Sequence, residues 1–297
     1  MIEQSIEPLR GLARTDPVVA PLALLQAEAL QIAYDSAWER GLPEFVARGL
    51  DIGIPLLEGL AMSVDPDRTE ALLVRLGAVA ARAMPGEAES FHRATARLAI
   101  DPAASIEASI TQDRVWLDVA ADNTGVDAGL LATLAHVAAL PLLQACGRQA
   151  APLIAGATWN AGYCPVCAGW PTLCEMRGLE RTRWLRCGRC GAGWPSQGQR
   201  CAFCGNANHE TLGYLAAEAE REARRAETCD LCHSYLKTLA TLTALSSVDL
   251  LVRDAATVEL DVAAINDGYG RPEQPGFQLH VRVEPIRRLD GRLSSSG

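Results

Sequence analysis

Residues 164–167, 187–190, 201–204 and 229–232 read CPVC, CGRC, CAFC and CDLC. These four Cys-x-x-Cys pairs contain eight of the ten cysteines. Two thiolates at this spacing match the bite of a tetrahedral metal ion, and a second pair brought across by a hairpin completes a four-cysteine site. Residues 164–232 are therefore predicted to bind metal.

The gaps between consecutive pairs are 19, 10 and 24 residues. Ten residues leave little room for two strands and a turn, so the first pair is predicted to join the second, and the third to join the fourth. Site 1 is then predicted to contain Cys164, Cys167, Cys187 and Cys190, and site 2 to contain Cys201, Cys204, Cys229 and Cys232. A tetrahedral all-thiolate site suits either zinc or a single iron, so two metal ions are predicted, iron or zinc.

Local patterns around the pairs predict small strands. Gly191 and Gly205 follow the second cysteine of a pair, where a positive φ turns backbone N–H groups toward sulfur. Segments 172–177 and 182–186 flank a glycine turn and predict a hairpin. Residues 216–226 have strong helix propensity, but this type of site needs a two-stranded arm, so we expect strands there.

The chain before the cysteines has the pattern of packed helices. Apolar residues recur at helical spacing at Leu22, Leu25, Ala29 and Ile32, and again at Leu72, Leu76, Val79 and Ala83. Asp65-Pro66 and Asp101-Pro102 each predict the start of a helix, because an aspartate caps it and proline fits its first turn. Residues 41–43, Gly-Leu-Pro, predict a break. We expect six to eight helices in an irregular bundle.

Two features bear on the compartment. Residues 129–146 approach the length of a membrane span, but His136, Pro141 and Gln144 interrupt them, so we expect a buried core helix and no span. The first seven residues contain two acids and no base, unlike a secretory signal, so we expect a cytoplasmic protein. In that reducing compartment, paired cysteines are metal ligands or redox-active thiols more often than disulfides.

The net charge of −9 lies entirely before Cys164, because residues 164–297 contain equal numbers of acidic and basic residues. Five arginines lie close to the first two pairs: Arg177, Arg181, Arg183, Arg186 and Arg189. They could offset the charge of about −2 on a four-thiolate site or bind phosphate, and we favour the first role.

The predicted fold is α+β, with an irregular all-α part, two small rubredoxin-like or zinc-ribbon modules and a short helical tail. The predicted boundaries are 1–160 for the helical domain, 161–198 and 199–240 for the two metal modules, and 241–297 for the C-terminal helix and tail. A hinge is expected over residues 151–162, a helix over 248–265, and loose order beyond Asp267.

Several residues are not predicted to be ligands. Cys146 and Cys174 are expected in the core or on a strand, and His233, beside the last pair, is expected not to coordinate metal. The miniature cores are expected to use Tyr163, Trp184, Trp194, Phe203 and Tyr235. The common nucleophile, phosphate-binding and zinc-protease motifs are absent, so no enzyme and no catalytic residue is predicted.

The whole arrangement resembles FdhE, the family of formate dehydrogenase accessory proteins. The resemblance is strongest in residues 163–167, 183–187, 201–204 and 229–237, the last of which read CDLCHSYLK. Family members commonly have glycine where this chain has Ala168 and His233, and a Trp-His step where it has Trp194-Pro195.

The resemblance implies a cytoplasmic, non-catalytic maturation factor that binds the catalytic subunit of a formate dehydrogenase, with iron of the rubredoxin type in its modules. Partner recognition is expected in residues 164–232. Two alternatives are a zinc ribbon that binds nucleic acid, which the acidic chain disfavours, and a rubredoxin-like electron carrier.

Overall fold

The structure is a computed structural model that describes residues 2–83, 100–196, 198–286, 288–289 and 292–293. The chain divides into two units. The helical unit comprises Met1–Phe45, Leu57–Cys146 and Leu279–Gly297, and the cysteine unit comprises Val46–Leu56 and Gly147–Gln278. Helices and sheets together make the α+β fold that the sequence predicts.

Six α-helices precede the cysteine segment in the described part of the chain. They are α1 Ile2–Thr15, α2 Ala20–Ile32, α3 Pro66–Ala83, α4 Pro102–Thr111, α5 Arg114–Thr124 and α6 Ala128–Ala155. The two predicted helix starts are confirmed, since the carboxylate of Asp101 accepts from the N–H groups of Ala103 and Ala104, and Asp65 accepts from Asp67. Residues 39–43 form the predicted break between elements.

The predicted apolar stripes are only partly buried. In α3, Leu72, Leu76 and Val79 are buried as expected. In α2, Leu25 and Ala29 are buried, but Leu22 is 40% exposed. Because α2 consists largely of alanine and leucine, its pattern does not select one face, and packing against α1 and α3 decides which side is covered.

Helix α6 is the long apolar helix expected over residues 129–146. It is the one helix among the described residues that is long and apolar enough to cross a membrane, and 78% of its most apolar window is buried inside the protein. It continues to Ala155, so the first part of the expected hinge is helical. The division between the two units falls inside α6, between Cys146 and Gly147.

The helical unit also contains a short parallel ladder that the sequence did not predict. Strand β1, Ala61–Val64, pairs with β8, Arg282–Pro285. The expectation of loose order beyond Asp267 is therefore wrong for this stretch, because alternate side chains from Leu279 to Val283 are buried. Strands β9, Arg288–Leu289, and β10, Arg292–Leu293, pair with each other, and the remaining tail lies outside the described residues.

The cysteine unit is built on one six-stranded sheet of order β4-β3-β2-β7-β6-β5. Its strands are β2 Leu173–Arg177, β3 Thr182–Arg186, β4 Gly193–Pro195, β5 Leu212–Leu215, β6 Arg224–Cys229 and β7 Ser234–Thr241. All pairs are antiparallel except β2 with β7, which is parallel. Each metal module thus supplies three antiparallel strands, and the β2–β7 pair joins them.

The predicted first hairpin is confirmed as β2 and β3. The second module has its two-stranded arm, but residues 216–223 form the connection between β5 and β6 rather than strands. The helix propensity of this segment is not realised either. Strand β5 follows the 3₁₀ turn His209–Thr211 directly and β6 ends at Cys229, so the arm takes its residues from next to the site.

Two helices cover the second half of the sheet. They are α7, Ser247–Ala255, and α8, Val258–Asn266, so the helix expected over 248–265 is interrupted at residues 256–257. Leu260 and Ala264 of α8 pack against Ala226 and Tyr235 of the sheet.

A buried charge cluster fastens these helices to β7. Lys237, the chain's only lysine, is 1% exposed and lies 2.6 Å from a carboxylate oxygen of Asp254 and 2.7 Å from one of Asp261. The hydroxyl of Tyr235 donates to the second oxygen of Asp261 at 2.7 Å, and Arg271 lies 3.5 Å from the same atom. Tyr235 and Lys237 of the Tyr-Leu-Lys sequence therefore both bind Asp261 of α8, and we call this contact the clamp.

Replacing the lysine tests how much this charge cluster contributes to the free energy of unfolding. We expect Lys237→Met to lower the free energy of unfolding by about 3–5 kcal/mol, because two carboxylates lose their buried partner. Chemical denaturation measures the change. Arg253→Met, at an exposed cation of α7, is the matched control and should change stability by less than about 0.5 kcal/mol. Equal losses in both variants would contradict the clamp.

Candidate metal centres

The four cysteines of predicted site 1 come together on one side of the first module. Cys164 and Cys167 lie in the loop before β2, and Cys187 and Cys190 follow β3. The Sγ atoms of Cys164 and Cys190 are 3.5 Å apart, and those of Cys167 and Cys187 are 3.6 Å apart. All four sulfur atoms lie within 4.8 Å of one another.

Predicted site 2 has the same arrangement in the second module. Cys201 and Cys204 precede β5, while Cys229 ends β6 and Cys232 lies in the turn before β7. The Sγ atoms of Cys201 and Cys232 are 3.6 Å apart, and those of Cys204 and Cys229 are 3.8 Å apart. Here too, all four lie within 4.8 Å of one another.

These distances fit a tetrahedral metal ion and not disulfides. A metal–sulfur bond of about 2.3 Å places the corners of a tetrahedron about 3.8 Å apart, whereas a disulfide holds its sulfur atoms about 2.05 Å apart. All ten cysteines are free thiols. Each cluster could therefore hold one ion, and its all-thiolate donor set suits zinc or iron equally.

The backbone at each knuckle supports the sulfur atoms. The N–H groups of Val166 and Phe203 point at the Sγ atoms of Cys164 and Cys201, each at 3.4 Å. The side chain of Asn206 adds a donor 3.5 Å from Cys229, a contact the sequence analysis missed because asparagine has no fixed place in a knuckle.

The residue after each pair has a positive φ. The values are 58° for Ala168, 76° for Gly191, 75° for Gly205 and 51° for His233. The two glycines behave as predicted. Ala168 and His233, the two departures from the family pattern, adopt the same conformation without glycine's freedom, so the knuckle geometry determines the backbone at these positions.

Close backbone contacts hold chain segments against both knuckles. A Cβ atom on Gly147 of α6 would lie 1.9 Å from the carbonyl oxygen of Cys190, and one on Gly162 would lie 1.6 Å from that of Ala202. Glycine is therefore required at both contacts. The end of α6 covers site 1, and the segment after it covers one side of site 2.

An aromatic contact connects the surroundings of the two sites. The ring of Trp170, three residues after Cys167, meets the ring of Phe203 edge-on with centroids 5.3 Å apart. Tyr163 lies on the other side of Trp170, with centroids 6.1 Å apart. Of the aromatics predicted for the miniature cores, Trp194 and Tyr235 are buried, and the other three are half-buried.

Four of the five predicted arginines are paired with carboxylates. Arg177 and Arg186 both bind Glu175, which is completely buried. Arg181 pairs with Glu222, and Arg183 pairs with Glu227. Burial alone would raise the pKa of Glu227, but Arg183 and Arg225 outweigh it and hold that pKa below its usual value.

The fifth arginine, Arg189, is buried beside site 1. Hydrogen bonds from the other three thiols hold the pKa of Cys167 well below its usual value, and Arg189 adds a favourable charge. Burial raises the pKa of Cys164 and of Cys190. Because a metal ion binds cysteines as thiolates, its binding at site 1 would release the protons of Cys164 and Cys190.

The cysteines outside the clusters are buried as expected. Cys146 lies in α6 with its sulfur 3.5 Å from the sulfur of Met62. Cys174 lies on β2, where burial raises its pKa to about 12. His233 is exposed, outside both clusters, with its ring beside that of Tyr269.

Comparison with known proteins agrees with this geometry. A family model described as FdhE, C-terminal domain, matches residues 199–276, which contain site 2, β7 and both covering helices. An FdhE homologue of Rhizobium meliloti is 28% identical over 235 residues, which cover 76% of this chain and 71% of that protein. The chain thus resembles FdhE proteins, and the family model matches it over residues 199–276.

Shorter alignments link it to further FdhE proteins. The FdhE homologue of Aquifex aeolicus is 32% identical over 39% of this chain, and the FdhE protein of Escherichia coli O127:H6 is 32% identical over 37%. These alignments span only 41% and 35% of those two proteins. The crystal structure of FdhE from Pseudomonas aeruginosa shares the fold, with a TM-score of 0.55 and 21% identity over 93% of this chain and 94% of that one.

The knuckle backbone can be tested at Gly205, where an added Cβ would meet no atom within 4 Å. We expect Gly205→Ala to destabilise metal-loaded protein by about 1 kcal/mol, because the positive φ is strained for alanine. Denaturant titration measures the change. Gly156→Ala, also in open space but without a positive φ, should not destabilise. A similar loss in both variants would show that the knuckle conformation is not the cause.

The buried thiol of Cys174 predicts a pH dependence. Its pKa is raised from 9.0 to about 12, so its contribution to stability is complete below pH 9 and is lost as pH rises toward about 12. In Cys174→Ala this loss should be absent, so the two stability curves should keep a constant offset below pH 9 and converge only above it. Parallel curves throughout that range would contradict it.

Proposed function

We propose that this chain is a cytoplasmic accessory protein that formate dehydrogenase needs in order to become active. The similarity to FdhE proteins supports the accessory role, because FdhE is the name of formate dehydrogenase accessory proteins. One observation on this chain supports the proposal most directly: all eight paired cysteines form two four-sulfur clusters. The family model covers the second of these clusters. The proposed ligands are those of sites 1 and 2 as defined above.

We infer that the cysteine unit binds the catalytic subunit of formate dehydrogenase during maturation. Its two modules share one sheet, so a partner would meet a continuous surface rather than two independent domains. Exposed apolar side chains are available on that unit: Leu179 and Leu242 follow the ends of β2 and β7, which are neighbours because the N–H of Gly178 donates to the carbonyl of Thr241. Such residues favour a protein partner.

Iron or zinc in the two sites would cross-link modules that have little core of their own. The surrounding residues hold the thiolates in place through backbone N–H groups and exclude water from site 1. This role requires no catalytic residue, in keeping with an accessory protein.

The arginine pairing weakens the nucleic-acid alternative. A phosphate-binding surface needs unpaired guanidinium groups, whereas Arg177, Arg183 and Arg186 contact buried or half-buried carboxylates. An electron carrier would require reversible one-electron chemistry, and colourless protein with stoichiometric zinc after anaerobic purification would exclude it.

Gene deletion tests the accessory role. We expect the deletion strain to make the catalytic subunit of formate dehydrogenase but to lose most of its activity. Wild-type chain and Cys146→Ala, a cysteine outside both clusters, should restore activity, whereas Cys187→Ser should not. Immunoblotting separates a failure to mature the subunit from a failure to express it. Full formate dehydrogenase activity in the deletion strain would refute the role.

Reciprocal affinity capture from the native host tests the partner. Tagged chain should retrieve the catalytic subunit, and the tagged subunit should retrieve this chain. Leu179→Ser combined with Leu242→Ser should weaken the capture without changing metal content. Capture that fails in both directions, while the deletion still abolishes activity, would mean that the chain acts without binding that subunit.

A further inference from the structure

The two clusters differ in how far they are enclosed. In site 1 all four cysteines are buried, and none exceeds 2% exposure. In site 2, Cys201 and Cys229 are buried, Cys232 is half-buried and Cys204 is exposed. One cysteine of site 2 is therefore accessible to solvent, whereas no cysteine of site 1 is.

The cause of the difference lies in what covers each knuckle. Site 1 is closed by the end of α6, which contacts the carbonyl of Cys190 through Gly147. At site 2 the corresponding contact, from Gly162, reaches Ala202 and covers only that side. The chain leaving the cluster, residues 207–210, is exposed, and the position of Gly205 has open space around it.

The surroundings of the open side fit a contact with another molecule. Leu231, between the two cysteines of the last pair, is 67% exposed. An exposed apolar side chain therefore adjoins two of the cluster's cysteines in the chain. Cys201 and Cys229 of the same cluster border a cavity of about 280 Å³ whose walls include Met176, Tyr214 and Leu236.

We propose that site 2 is a ligand-exchange site, at which the thiol of another molecule replaces Cys204 on the bound metal ion while site 1 keeps its four ligands. Thiolates are the preferred ligands of both candidate metals, so an incoming thiol can take the place of a cysteine without changing the donor set. The bond between the ion and Cys204 breaks and a bond to the incoming sulfur forms. The proton of the incoming thiol passes to Cys204, so neither sulfur nor metal is oxidised or reduced.

Cys204 is the ligand that leaves because it is the one exposed cysteine of the cluster, whereas Cys232 is half-buried. Cys201 and Cys229 are buried, and they receive donors from Phe203 and Asn206. Exchange at any sulfur of site 1 would first require part of the cysteine unit to open, which slows it. The inference rests on both clusters holding metal and does not depend on formate dehydrogenase being the partner.

Metal release from zinc-loaded wild-type protein tests the asymmetry. With excess 4-(2-pyridylazo)resorcinol, one equivalent of zinc should leave at least about tenfold faster than the other, because only site 1 must open first. During limited reaction with N-ethylmaleimide, peptide mass mapping should find Cys204 labelled before every other cluster cysteine. Equal release rates, or first labelling within site 1, would overturn the proposal.

A thiol rescue tests the exchange itself. Cys204→Ala loaded with cobalt should have a three-thiolate spectrum at site 2, and added 2-mercaptoethanol should restore the four-thiolate spectrum. Cys190→Ala, the matched variant in the enclosed site, should not respond. Rescue of neither variant, or of both equally, would refute thiol entry at site 2. If Cys204→Ala does not fold, the wild-type release and labelling measurements decide the question.

Glutathione and a peptide with one cysteine between leucines distinguish the two sources of thiol. Greater effectiveness of the peptide in restoring the spectrum would assign the site to a protein partner that also contacts Leu231. Greater effectiveness of glutathione would assign it to a small cellular thiol. Failure of both to restore the spectrum would contradict the proposal.

Discussion

The parallel pairing of β2 with β7 is the contact on which the cysteine unit depends. It aligns Leu173 with Lys237 and Arg177 with Thr241, and it turns two three-stranded modules into one sheet. Leu173 and Leu239 from the paired strands form a small core with Leu250 of α7. Without this pairing each module would be too small to bury much apolar surface.

Buried charges accumulate beside the same two strands. Glu175 on β2 binds Arg177 and Arg186, and Lys237 on β7 binds Asp254 and Asp261. Pairs enclosed in this way contribute less to net stability than their geometry implies, but the loss of one member is costly because it leaves an uncompensated charge. They therefore make the joined arrangement specific, so that a shifted strand register would leave several charges unpaired.

The two four-cysteine clusters differ in how far the surrounding chain covers them. In both, the four sulfur atoms lie within 4.8 Å of one another and the residue after each pair has a positive φ. The cysteines of site 1 are all buried, whereas Cys204 of site 2 is exposed. A closed cluster suits a structural cross-link, and an open one suits contact with another molecule. The exchange proposed for Cys204 uses this difference.

The sequence alone determined what depends on near neighbours. Some signals act within a few residues: two cysteines with two residues between them, a glycine after such a pair, and an aspartate before a proline. The eight clustered cysteines, the β2–β3 hairpin and the helix starts follow from these signals. The tertiary structure decided what depends on residues far apart in the chain. The pairing of β2 with β7, the binding of Arg183 to Glu227, the ladder of β1 with β8 and the exposure of Cys204 all depend on distant segments meeting, and no local periodicity encodes which segments meet.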